Sequence, residues 1–481
     1  MFMVRITGWI GKVTLVASLA ITIGGCGRGV EKSMNGSSGG GSSSPEPQSN
    51  GDPMPNRTST NGTIDTEPNR FDPEPTRTTK NPTQLRAEIL AALEAGDEDQ
   101  AFELVRAAKR VAPRDPQITF LMAMILSQRN RFREAVMMLD AMARSIPSTR
   151  GTVLGQTADW LVESGQWSAA EMRYRELLDQ APQASIAHRN LALLLVRQGR
   201  RLEAAENYRQ MCRMGDVEEI ELRALLNVVH PFRGDAMQRW LEPIGSLGNA
   251  RFAIGVGNWN AAAEALNLSP SNHPHAASAL LGRIRAQLQD FESLAKWVEE
   301  TPAAAQRHSD YWFALGTLQS HRAQHRAALS SFCQNVLLDE TDADAYAAMS
   351  RSLAELGAQS EATVAAQRAQ LIERTQAIGA EMADSSERDD AQLASLIESL
   401  EQLNRPFEAL AWRVVRVVYG QANSRLSDAD AKESLAKIVA ERGERLQSNE
   451  PVATREFLLC GVDLDSLGLQ ANPNETSGGQ N

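Results

Sequence analysis

The residues of this chain that could do chemistry are few and widely spaced. His321 and His325 stand four apart, the interval that would set two imidazoles on one helix face as metal ligands, and His273 and His275 flank a proline. The first pair has only Arg322 and Arg326 beside it and no carboxylate, and both pairs read as solvated turn residues. Acidic pairs occur at Glu299-Glu300 and Asp389-Asp390, but general acid and base work needs carboxylates that face each other in a cleft, which adjacency does not supply. The four cysteines, Cys26, Cys212, Cys333 and Cys460, form no CxxC pair. Cys212 and Cys333 fall in helical patterns and read as small buried hydrophobes, with a long-range disulfide left open in an exported protein. No GxSxG, HExxH, Walker A or GxGxxG stretch is present. The expectation is therefore a protein that is not an enzyme, with no metal and no cofactor. The net charge of -11 also argues against a nucleic-acid partner, because neutralising phosphates requires a basic surface.

Cys26 differs from the other cysteines in what precedes it. Arg5 and Lys12 form a positive leader, and the uncharged run Val13 to Gly25 ends in the small pair Gly24-Gly25. A membrane-spanning helix needs about 20 apolar residues, and this run is shorter. Ile23-Gly24-Gly25-Cys26 resembles the bacterial lipobox, in which the cysteine is lipidated and becomes the new N-terminus; Gly24 stands where Ala or Ser is usual. That resemblance implies a signal peptide over 1–25, a lipid on Cys26 and, since Gly27 is not Asp, an outer-membrane lipoprotein of the cell envelope facing the periplasm. An ordinary secretory signal with an incidental cysteine, and an uncleaved anchor, are the alternatives.

The elements that would carry any site begin well downstream. Residues 26–82 are rich in Gly, Ser, Pro and Thr, with almost nothing apolar to seed a core, and are expected to be a disordered linker spanning roughly 40 Å. Beyond them the vocabulary is that of helices: aromatics are only 5%, apolar residues 42%, with Ala, Leu, Arg, Glu and Gln prominent. The stretches closing at Pro113, Pro147 and Pro182 repeat at 34 and 35 residues, each with an alanine twelve residues earlier, Ala101, Ala135 and Ala170. The series runs on to Ala204 and, after a break, through Ala262, Leu294, Ala328 and Ala362, with a ninth unit centred on Ala409. Each unit reads as two helices of about a dozen residues around a turn, where Gly96, Gly165, Gly199, Gly257 and Gly357 fit.

These units resemble the tetratricopeptide repeat, with its W-x2-L-G-x2-Y, A-x3-F and P positions. Trp312, Leu315 and Gly316 followed by Ala328 and Phe332 carry the likeness, as do Tyr346, Met349, Leu353, Gly357 and Ala362, and Asn190, Leu195, Gly199, Ala204 and Tyr208. The resemblance implies an all-α, right-handed α-solenoid of helix-turn-helix repeats. Repeats 1–4 are expected over 83–218, an irregular helical insertion over 219–248 and repeats 5–8 over 249–386. A ninth repeat with a capping helix should follow over 387–447, and an irregular tail over 448–481. The insertion is marked by a gap of 58 between Ala204 and Ala262, containing His230-Pro231-Phe232-Arg233-Gly234.

In this family the first helix of each unit lines a concave groove. By position, that implies a peptide-binding groove with Phe120, Met124 and Gln128 from the second unit, Asp159 and Glu163 from the third, and Arg189, Asn190, Leu193 and Arg197 from the fourth. Asn190 would hold the backbone of an extended peptide, and Arg189 and Arg197 would meet a carboxylate. The expected function is a membrane-anchored protein-interaction scaffold whose partner is a protein or extended peptide. An outer-membrane assembly factor resembling the tetratricopeptide lipoproteins of barrel or pilus biogenesis, and an accessory subunit of an envelope enzyme or cryptic hydrolase, are the alternatives.

Overall fold

The computed structural model describes residues 81–228, 242–268, 270–384, 388–448 and 453–463. Cys26, the signal expected over 1–25, all but the end of the expected linker and much of the expected insertion and tail lie outside the described residues. Among those described there is no strand, and no helix is long and apolar enough to cross a membrane.

The chain divides into two compact units at Ile146/Pro147. The described part of the first is two helix hairpins, α1 (Pro82–Glu94) with α2 (Glu98–Val111) and α3 (Pro116–Gln128) with α4 (Phe132–Ser145). The second opens with α5 (Arg150–Glu163), α6 (Trp167–Gln180), α7 (Ser185–Arg197), α8 (Arg201–Met214) and a short α9 (Glu219–Leu226). It resumes with α10 (Gly245–Gly255), α11 (Trp259–Leu268), α12 (Pro274–Gln287), α13 (Phe291–Glu300), α14 (Ser309–His321) and α15 (His325–Leu338). It ends with α16 (Ala343–Glu355), α17 (Gln359–Asp384), α18 (Asp390–Gln402), α19 (Pro406–Ala422), α20 (Asp428–Ser448) and α21 (Arg455–Leu458). The result is the all-α array of tetratricopeptide-like hairpins that the period implied.

Why each hairpin turns where it does is visible in the backbone. The residue two before every second helix takes positive φ: Gly96, Asn130, Gly165, Gly199, Gly257, Gln289, Ala323, Gly357 and Asn404. The next amide reaches back to a carbonyl of the last helical turn, as from Asp97 to Ala92 at 2.9 Å, Arg200 to Leu195 at 2.9 Å and Arg405 to Leu400 at 2.8 Å. This is the Schellman closure, which needs one left-handed residue. Glycine adopts it at no steric cost, whereas alanine loses about 1–2 kcal/mol. Ala323→Gly, at an exposed turn, should therefore raise stability by about 0.5–1 kcal/mol once the greater chain entropy of glycine is subtracted. A urea midpoint that moves down would contradict this account of the turn.

The period itself is a packing rule. Ala101, Ala135, Ala170, Ala204, Ala262, Leu294, Ala328, Ala362 and Ala409 are each the fourth residue of a second helix, and all are buried. One turn later Val105, Leu139, Tyr174, Tyr208 and Phe332 fill the same seam. Where the filler is large, the facing helix is small: a Cβ on Gly316 would stand 2.7 Å from the Phe332 ring. Cys212, Cys333 and Cys460 are buried and free, and burial pushes the Cys333 thiol up to about 12. His321 stacks on Phe291 with ring centroids 3.7 Å apart, and no cluster of metal-ligating side chains occurs among the described residues.

Inside the second unit the chain returns on itself. Helix α9 docks near the end of the 26-residue α17, where Gly379 lets Asn227 and Leu226 approach closely. Glu219 accepts hydrogen bonds from Arg388 at 2.7 Å and from the Tyr419 hydroxyl at 3.1 Å, and Arg405 donates to the Leu225 carbonyl at 3.0 Å. The short α21 closes another face: the Arg368 guanidinium lies 3.7 Å over the Phe457 ring, and Leu459, Cys460 and Val462 join the core around Cys333 and Phe332.

Candidate binding face

In the first unit, Phe120 and Met124 do not line an open groove, which corrects the expectation placed on them. They are 2% and 6% exposed, because α3, PQITFLMAMILSQ, is apolar on every side and closes almost continuously from Ile118 to Ser127. Gln128 follows at the end of the same helix.

In the second unit, α5 and α7 do place Asp159, Glu163, Asn190 and Leu193 near one another. The Asn190 amide donates to Asp159 Oδ1 at 2.9 Å, and the buried Tyr174 hydroxyl donates to the same oxygen at 2.5 Å. Burial, then the Asp159 charge, pushes the Tyr174 phenol far above its ordinary value and keeps it a donor. Leu193 is 40% exposed, while its neighbours Leu191, Leu194, Leu195 and Val196 are closed. Asp159 and Asn190 are half-buried and Glu163 is exposed, so Leu193 is framed by polar groups, two of them acidic, while Ile186 is open two turns earlier on the same helix.

The two arginines expected to meet a partner's carboxylate are engaged within the chain. Arg189 Nε donates to Glu221 at 2.5 Å, with Glu218 3.6 Å away, because α9 returns beside α7. Arg197 Nε donates to the Glu242 carbonyl at 2.9 Å, and burial lowers its pKa from the ordinary value. Sequence spacing gave no sign of either contact, since the partners are 32 and 45 residues downstream.

A second group of charges escaped the sequence reading altogether. Arg201 on α8, Arg251 on α10 and Arg283 on α12 are buried together with Asp310 on α14 and with Asp339 and Asp342 before α16. Arg251 pairs directly with Asp310, whose carboxylate also lies 3.6 Å from Arg283 and 3.9 Å from Arg201. Arg201 reaches Asp339 at 2.6 Å, and Arg283 donates to Asp342 at 3.0 Å while resting 4.1 Å over the Phe313 ring. Burial alone would push the Asp310 carboxyl up, but Arg251, then Arg201 and Arg283, hold it well below the usual carboxylate range. Three guanidinium groups against three carboxylates leave the group neutral, which is what a buried charge cluster requires. Its trace was present in the sequence: Arg283 falls on the same apolar phase as Leu280 and Ile284.

No family model matches the sequence, and no curated protein matches it. Solved structures with a similar course of chain include a tetratricopeptide repeat protein from Parabacteroides merdae, 14% identical, covering 56% of this chain and 98% of that one with a TM-score of 0.28. The structure of Naa15/Naa10 bound to HypK-THB matches at 14% identity over 81% of this chain and 57% of that one, TM-score 0.27. The APC/C hetero-tetramer Cut9–Hcn1 matches at 11% identity over 75% and 96%, TM-score 0.24.

Proposed function

We propose that this chain is a non-catalytic protein-interaction scaffold, exported and held to the periplasmic face of the outer membrane by a lipid on Cys26. The supporting observation for the scaffold is the α5–α7 face: Leu193 stands open at 40% exposure beside Asn190, Asp159 and Glu163, with Ile186 open two turns earlier on the same helix. An open apolar side chain with hydrogen-bonding and acidic neighbours suits an extended segment that presents an apolar residue and a basic one. For the anchor, support comes from Ile23-Gly24-Gly25-Cys26 after an uncharged run, followed by a Gly- and Ser-rich stretch.

Each half of the proposal has its own test. With a photoreactive amino acid at Leu193 in growing cells, illumination should yield one discrete adduct that is absent when the probe sits at Met172, which is 66% exposed on α6. Identical adducts from both sites would remove the case for this face. Cys26→Ser should abolish metabolic labelling by an alkyne fatty acid and either release the protein or leave the uncleaved precursor. Unchanged labelling would end the anchor reading.

A further inference from the structure

The second unit sorts the three cysteines found among the described residues. Cys333 on α15 and Cys460 just after α21 are buried in one core, 0% and 5% exposed, together with Phe332, Tyr346 and Leu459. Cys212 on α8 is buried outside that core, where the charges acting on it are those of Glu408 and Arg405. Burial raises the Cys333 thiol most, and the next largest influence on it is Cys460, which sets the two sulfurs within electrostatic reach of each other. Each thiol also has a guanidinium acting against its burial, Arg455 at Cys333 and Arg368 at Cys460, and so favouring the thiolate that disulfide exchange requires.

The backbone at Cys460 adds an independent observation. Helix α21 ends with the Cys460 amide donating to the Phe457 carbonyl and the Gly461 amide to the Glu456 carbonyl, both at 3.1 Å. This is the closure used by the hairpins, and Cys460 holds its left-handed position at φ +56°. Glycine fills that position at Gly96, Gly165 and Gly199. A cysteine bears the strain instead and turns its side chain into the core, where the thiol makes only a weak contact, 3.9 Å to the Leu458 carbonyl. The segment it belongs to is a four-residue helix with short flanks, and a covalent link to α15 would root it.

We propose that Cys333 and Cys460 form a disulfide that staples residues 453–463 to α15, leaving Cys212 reduced. The proposal rests on the export argued above only for where the oxidant is met. That oxidant is a second disulfide, of glutathione or of an oxidoreductase. One cysteine thiolate attacks a sulfur of it and expels a thiolate, and the other then attacks the protein sulfur of the mixed disulfide and expels the second. The protein pair gives up two electrons, and its two protons go to the two expelled thiolates. The bond closes the long loop 334–459, which restricts the unfolded chain most. The test uses the purified, reduced full chain with Cys26→Ser, so that the address plays no part and a failure here is distinct from a failure of the anchor. After equilibration over a range of oxidised to reduced glutathione, acid quench, alkylation and digestion, mass mapping should find residues 333 and 460 in one linked pair of peptides, two hydrogens lighter than its parts, with Cys212 alkylated. Amide hydrogen exchange over residues 454–462 should slow roughly tenfold or more on oxidation, and Cys460→Ser should abolish that response. Alkylation of all three thiols at every glutathione ratio, a linkage through Cys212, or a linked pair with unchanged exchange over 454–462 would each overturn the staple.

Discussion

Asp310→Ala is expected to destabilise the second unit by about 3–5 kcal/mol, the cost of leaving buried guanidinium groups without their shared counter-charge. Asp310 is 3% exposed and pairs with Arg251, with Arg283 and Arg201 next nearest, so its loss leaves buried guanidinium groups short of counter-charge. Asp344 provides the contrast. It lies 3.3 Å from the same Arg283, but its side chain is 57% exposed, and Asp344→Ala should cost no more than about 1 kcal/mol. Urea midpoints of the two variants read the difference directly, and a loss at Asp310 as small as that at Asp344 would show that the cluster is solvated.

The same cluster sets the response to acid. Asp310 and Asp339 are both held below the ordinary carboxylate value, against burial, by their arginines. A group whose folded pKa is depressed contributes stability that is fully present above its unfolded value, about 4, and lost as pH falls toward the folded one. Stability should be nearly flat from pH 7 to 5 as far as these groups are concerned and then drop below about pH 4. Asp310→Ala should make that drop shallower, because one of the protons taken up on unfolding is gone.

How much of this was legible in the sequence follows from the range of each interaction. The turn at Gly165 and the seam at Ala170 are settled within one hairpin, so a period of 34 or 35 residues reveals them. Ala323 and Gln289 take the same left-handed turn without the glycine that would announce it, closed by the amides of Gln324 to Gln319 at 2.9 Å and of Asp290 to Arg285 at 3.0 Å. Phe120 was misplaced for a different reason. A family position says which way a helix face points, but α3 is apolar all round, and composition decided its burial. Arg189 and Arg197 show the limit most clearly, because their partners arrive only when the chain returns through α9 and the segment at Glu242. Nothing local to α7 encodes that return.

Gly248→Ala is the second substitution with a large expected effect, and its sign separates two explanations. In a helix interior, alanine is ordinarily better than glycine by about 1 kcal/mol. At Gly248, though, a Cβ would stand well inside contact distance of the Arg197 carbonyl oxygen, a backbone atom that already accepts the Ile244 amide at 2.7 Å and cannot swing aside. Gly199 meets the same junction from the other side: its φ is +78°, and a Cβ there would lie 2.8 Å from the Leu247 carbonyl oxygen. The end of α7 and the start of α10 are thus in backbone contact, and this contact rejoins the array across residues 229–241. Gly248→Ala should cost about 3 kcal/mol net, the upper end for overpacking, whereas Gly443→Ala, with open space around it in α20, should gain up to about 1 kcal/mol. Displacing α10 also displaces Arg251, three residues on, from Asp310. The two large effects should therefore be less than additive when combined, and full additivity in the double variant would show that the junction and the charge cluster are independent.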